Sequence, residues 1–138
     1  LIHKIDKLIG EKKDFAFETT LATRSYLSKI NTARENGYTI TLLFFWLDSV
    51  ELGLERVRAR VLEGGHNVEP HVIKRRYLSG IRNLFNLYIP ICDYWMVFNN
   101  STSRSELIAE GYSSDIPVIK NYITFAKIKQ LSSNDSKG

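Results

Sequence analysis

The stretch Thr39 to Leu47, read TITLLFFWL, constrains this chain more than any other, because it is β-branched and aromatic and carries no charge. Such a run is how a strand buried on both faces by flanking helices is written. It is far short of the roughly 20 apolar residues that a membrane-spanning helix requires. The chain must therefore supply helices for both sides of a sheet, and the expected class is α/β with a largely parallel sheet.

The remaining segments can be assigned around that strand. Ile2, Ile5, Leu8 and Ile9 recur at helical spacing up to Gly10. Phe15-Ala16-Phe17 reads as a buried strand leaving through Glu18-Thr19-Thr20. A helix follows through Tyr26, Leu27, Ile30 and Ala33, with Thr19 or Thr20 as its N-cap and Asn36-Gly37 as its stop. Asp48-Ser49 with Glu51 resembles a capping box for a helix that ends at Gly64-Gly65. Glu69-Pro70 starts another, striped by Ile73, Tyr77, Ile81, Leu84 and Tyr88 and stopped by Pro90. Tyr94 to Phe98 is a third strand leaving through Asn99-Asn100-Ser101. Ser105 to Glu110 reads as a short helix, Pro117 to Ile119 as an extended piece, and Asn121 to Leu131 as the last helix. The expectation is one domain over residues 1–131 with a flexible polar tail at 132–138.

In parallel sheets ligands bind at the carboxyl ends of strands. That rule gathers Glu18, Thr19, Thr20, Asp48, Asn99 and Asn100 on one edge. The net charge of +4 is a mild excess of 19 basic over 15 acidic residues, so its location matters more than its sum. Much of it lies between Arg56 and Tyr77, where Arg56, Arg58 and Arg60 precede Gly64, Gly65 and His66, and Lys74, Arg75 and Arg76 follow. Guanidinium groups pair phosphate oxygens in a bidentate way, so this cationic hairpin would suit a polyphosphate. The plainer alternative is a solvated helix face with pairs such as Arg60 to Glu63 or Glu55 to Arg58. Glu18 with Thr19 and Thr20 offers a carboxylate and two hydroxyls to a sugar or nucleoside, or else a helix N-cap. His66 could touch a phosphate or remain solvated.

Tyr77 and Tyr88 fall on the expected core stripe, so the aromatic interleaving of a nucleic-acid platform is not evident. His3, His66, His71 and Cys92 have no metal spacing, and one cysteine makes no disulfide framework. The cytoplasm is the expected compartment. No glycine is followed by lysine, so the P-loop pattern is absent from this stretch.

Four ordered blocks resemble the zeta toxin family, and within it the bacterial zeta-toxin-like branch also described as ABC-type ATPases. They are FAFETTLATRSYL from Phe15, GYTITLLFFWLDSVELGLERVRARV from Gly37, GGHNVEPHVIKRRY from Gly64 and GIRNLFNLYIPICDYW from Gly80. The resemblance implies a P-loop kinase fold and transfer of phosphate from ATP, with Mg2+, to a hydroxyl such as that of a UDP-amino sugar. It also implies a toxin–antitoxin setting with an antitoxin protein as partner. It places Glu18, Thr19 and Thr20 at the substrate position. The lid falls over residues 56–77, with Arg56 and His66 near the nucleotide phosphates and Arg60, Arg75 and Arg76 as candidate catalytic groups.

Two departures qualify it. Family members carry the Walker A loop upstream of the block that begins here near Leu1, and Asp-Asn-Ser is usual where this chain has Asn99-Asn100-Ser101. Without a phosphate cradle the expectation is a C-terminal kinase portion that binds no ATP by itself. A different outcome in the same fold is a non-catalytic interaction or oligomerisation module, self-associating through sheet edges left unpaired.

Overall fold

A computed structural model describes residues 1–133. The uncharged run forms β1 (Thr41–Trp46) and pairs in parallel with β2 (Tyr94–Asn99). A parallel pair needs a long crossover, here α3 (Val50–Leu62) and α4 (Pro70–Asn83). Upstream lie α1 (Ile2–Gly10) and α2 (Leu27–Glu35). Downstream lie β3 (Glu106–Gly111), β4 (Val118–Ile119) and α5 (Tyr122–Ser133).

The sheet has four strands in the order β1-β2-β3-β4, and both further pairings are antiparallel. The chain is thus mixed α/β, and the expectation of a largely parallel sheet holds for one pair only. The error comes from Ser105 to Glu110, whose helix-forming residues form β3 instead. β2 would otherwise leave a row of backbone groups without partners, and pairing it outweighs local propensity. The register shifts between Val97 and Phe98, and Ile108 is the extra residue. Its carbonyl accepts from the Lys120 and Asn121 amides at 2.8 and 3.1 Å. This bulge lets both Ile108 and Ala109 be fully buried.

One sheet face carries the core. Leu42, Phe44 and Trp46 line up with Trp95, Val97 and Asn99 across the parallel pair. Ile81, Leu84, Tyr88 and Ile128 from the helices pack there with Trp46, Trp95 and Val97. Between α4 and β2 the chain widens into a π-helical turn (Leu84–Tyr88) and then tightens into a 3-10 turn (Ile89–Ile91) containing Pro90. A smaller cluster of Ile5, Ile9 and Ala33 joins α1 to α2, with Phe15, Phe17, Tyr38 and Ile40 against it.

The other sheet face is not covered as the sequence suggested. Leu43 and Phe45 are 49% and 51% exposed, although Phe45 stacks on Phe98 at 5.2 Å between centroids. The outer edge of β1 is bare as well. Ile40 and Trp46 direct their carbonyls to β2, accepting from Tyr94 and Asn100. By the two-residue period, Thr41, Leu43 and Phe45 turn their backbone groups the other way.

Phe15 to Glu18, expected as a strand, has no ladder partner and lies beside this bare edge. A groove of about 370 Å³ separates the two, lined by Phe15 and Ala16 on one side and Thr39, Thr41 and Leu43 on the other. Thr19 and Thr20 do not cap a helix either, because α2 begins only at Leu27. Other boundaries agree with the sequence. Ser49 caps α3 by accepting from the Leu52 amide at 3.2 Å, and Gly37, at φ +85°, closes α2. α5 runs to Ser133, two residues into the expected tail, and residues 134–138 of that tail lie outside the described residues. No helix among the described residues is long and apolar enough to cross a membrane.

Candidate functional site

α4 holds the candidate site together. On one side of it, the Tyr77 hydroxyl donates to the Leu47 carbonyl at 2.8 Å, fixing the exit of β1. One turn on, Gly80 meets the loop expected to bind substrate so closely that a Cβ there would lie 2.4 Å from the Thr20 carbonyl oxygen. A further turn on, the Asn83 side chain donates to the Leu21 carbonyl at 2.8 Å, and beyond α4 the Tyr88 hydroxyl donates to the Thr23 carbonyl at 2.6 Å. Residues three and four apart share a helix face, so one stripe grips both the loop and the strand end.

The loop itself is tightly wound. Thr19 and Thr20 accept from the amides of Leu21 and Ala22 at 3.2 and 3.3 Å. Leu21 is buried at φ +61°, a left-handed conformation that costs a leucine on the order of 1–3 kcal/mol. The buried leucine and the Asn83 bond hold it there. Glu18 stays exposed, in no ion pair among the described residues.

Asp48, Asn99 and Asn100 do meet at the strand ends, as the sequence suggested. The Asp48 amide donates to Ser101 Oγ at 2.9 Å, Ser101 Oγ donates to Asn99 Oδ1, and the Asn100 amide donates to the Trp46 carbonyl at 2.7 Å. Lys127 from α5 reaches Asp48 Oδ1 at 2.6 Å. Burial pushes the Tyr77 phenol up to about 12, against the smaller downward pull of the neighbouring Trp46 indole and with Asp48 and Glu51 adding to the rise. The Trp46 indole nitrogen is buried without a hydrogen-bond partner among the described residues.

The arginines are placed by α3 and α4. The Gly65 amide donates to the Arg60 carbonyl at 2.6 Å, and Gly64 adopts φ +93°, so the glycine pair turns the chain sharply after α3. A Cβ on Gly65 would lie 2.8 Å from the Arg60 carbonyl oxygen. Arg58, Arg60, His66, Lys74, Arg75 and Arg76 are exposed, and Arg56 is half-buried. Neither Arg60 with Glu63 nor Glu55 with Arg58 forms an ion pair. From Arg56 to Tyr77 there are six Lys and Arg against two carboxylates, Glu63 and Glu69, an excess equal to the net charge of the whole chain.

Guanidinium groups are of a chemical type that pairs phosphate oxygens. No group of three or more His, Cys, Asp or Glu that could hold a metal ion occurs among the described residues; a Mg2+ carried by a nucleotide would need only one or two protein oxygens beside the phosphates. Sequence reasoning missed Gly80, Asn83, Tyr88 and the strain at Leu21. A glycine inside a strongly patterned helix costs about 1 kcal/mol relative to alanine. That cost was the signal available for Gly80, while the partners of Asn83 and Tyr88, more than sixty residues away, had none.

No family model matches the chain, and no solved structure matches it significantly. A protein of Haemophilus influenzae, described only as uncharacterized, is 38% identical over 63 residues. That stretch is 46% of this chain and 45% of the relative, so the match spans under half of either.

Proposed function

We propose that the chain is the lid and acceptor-binding portion of a zeta-toxin-like, ATP-dependent small-molecule kinase. The observation that carries this reading is the role of α4. One helix bears Lys74, Arg75 and Arg76 and also grips the Glu18–Thr20 loop and the exit of β1. Phosphate-seeking charge and a hydroxyl-binding loop are thereby tied to one rigid element, as in-line phosphoryl transfer needs.

In that reaction the acceptor hydroxyl oxygen bonds to the γ-phosphorus, the bond to the β-phosphate oxygen breaks, ADP leaves and the hydroxyl proton passes to a base. ATP supplies the phosphoryl group. Glu18, Thr19 and Thr20 orient the acceptor, a UDP-amino sugar in this reading. Arg60, Arg75 and Arg76 neutralise charge on the transferred group, and Arg56 and His66 close over the nucleotide phosphates. The groove between Phe15 and β1 is consistent with the fold, since a P-loop strand would run between those two segments. A second reading, an interaction module without chemistry, draws on the same bare edge and on exposed Leu43 and Phe45.

The test is phosphate transfer from ATP to UDP-N-acetylglucosamine by the product of the whole reading frame, whatever its length, followed by phosphorus NMR. Transfer that falls roughly 100-fold in Arg60→Ala and Arg75→Ala, or about 3 kcal/mol of transition-state stabilisation, supports the kinase. An absence of both ATP binding and transfer leaves the interaction module.

A further inference from the structure

We infer that a second site, formed where the π-helical turn after α4 faces the end of α5, binds a small organic phosphate. This site shares no residue with the proposed kinase site and does not depend on that reading. The open groove there has a volume of about 680 Å³, within the range of small-molecule sites and far larger than a bare phosphate needs.

Arg82 from α4 and Lys129 from α5 both line it, and no carboxylate among the described residues does. Neither cation forms an ion pair with a carboxylate among the described residues. Lys129 is held in place, with its ammonium 4.5 Å from the centroid of the Phe85 ring. That ring is braced edge-on by Phe125 at 5.9 Å. A cation seated on an aromatic face is pre-organised and still has protons to donate.

A helix end would ordinarily repel an anion, because its last carbonyls carry partial negative charge. Here that effect is reduced. Ser132 Oγ donates to the Lys129 carbonyl at 2.6 Å, and Ser133 Oγ lies 3.1 Å from the Gln130 carbonyl. The π-helical turn supplies Phe85 and Asn86 to the lining, and Asn86 adds an amide donor to it. Two cations and an amide, with no carboxylate among the described residues lining the groove, favour an anion, and the spare volume favours one with an organic body.

The test is titration of the full chain with ribose 5-phosphate in 150 mM NaCl, observed by amide and side-chain NMR shifts, with ribose and inorganic phosphate as comparisons. The expected result is saturable shifts at Arg82, Asn86 and Lys129 with ribose 5-phosphate, weaker ones with inorganic phosphate and none with ribose. Arg82→Gln is expected to weaken binding about tenfold, the loss of one charge-assisted hydrogen bond. Phe85→Leu, which keeps the apolar volume and removes the ring under Lys129, is expected to weaken it by less. Shifts that map instead to Arg56–Arg76, that persist unchanged in Arg82→Gln, or that never appear overturn the proposal.

Discussion

At the scale of single residues, the positions that decide the site are small or strained ones. Gly80 is required by contact, because the Thr20 carbonyl oxygen occupies the place of a side chain. Gly80→Ala should destabilise the chain by about 2 kcal/mol, and hydrogen exchange should show the 18–23 loop released first. A urea midpoint equal to that of the wild type would mean the loop does not depend on this contact.

Buried protons give a second prediction. Burial raises the Cys92 thiol from 9.0 to about 12, with Asp93 adding to the rise and Arg34 opposing it. Tyr77 rises from 10.0 to about 12. Because both folded values lie above the unfolded ones, the stability they confer is complete below about pH 9. It is lost as pH rises from there through 12, when only the unfolded chain readily gives up these protons. The urea midpoint should therefore fall across that window, with a shallower fall in Cys92→Ala. At pH 8, native Cys92 should resist iodoacetamide until the chain unfolds.

At the scale of elements, capping and pairing account for what local sequence can achieve. Ser49 satisfies one of the four free amides at the start of α3, while Glu51 stands one position too early for the reciprocal bond of a full capping box. Ser49→Ala should cost about 1 kcal/mol of unfolding free energy, read as a lower urea midpoint, and Ser49→Asp should recover it. β3 shows the opposite balance. Its residues favour a helix, but β2 has a second edge to satisfy, and the bulge at Ile108 brings two apolar side chains into the core. The Phe15 to Glu18 segment has the composition of a strand and lacks a neighbour within bonding reach. An extended segment becomes a strand only where another backbone lies about 5 Å away.

At the scale of the whole molecule, the sheet is finished on one face and open on the other, and the outer edge of β1 is bare. α4, α5 and the turns between α4 and β2 cover the first face. On the second, Leu43, Phe45 and Val118 are all more than 45% exposed. A bare edge next to a bare apolar face is where β proteins associate. Leu43→Lys and Phe45→Lys should each lower self-association, measured by sedimentation velocity across a concentration series. Leu43→Lys should change stability by no more than about 0.5 kcal/mol, while Phe45→Lys also loses the stack on Phe98 and should cost about 1 kcal/mol. Unchanged sedimentation in both variants would show that this surface does not drive association.

The amino-acid sequence by itself determined the elements whose signals are local. These were the uncharged run of β1, the serine cap of α3, the glycine stops after α2 and α3, the apolar stripe from Ile73 to Tyr88 through α4 and the π-helical turn, and the cationic hairpin. It also placed Asp48, Asn99 and Asn100 together, because the ends of parallel strands converge whatever the loops do. Tertiary structure alone decided the rest. The direction of β3, the lack of a partner for Phe15 to Glu18 and the seating of Thr20 on Gly80 all depend on which backbone arrives next to which. That is settled by burial and hydrogen-bond satisfaction between segments distant in sequence, and no local window contains it.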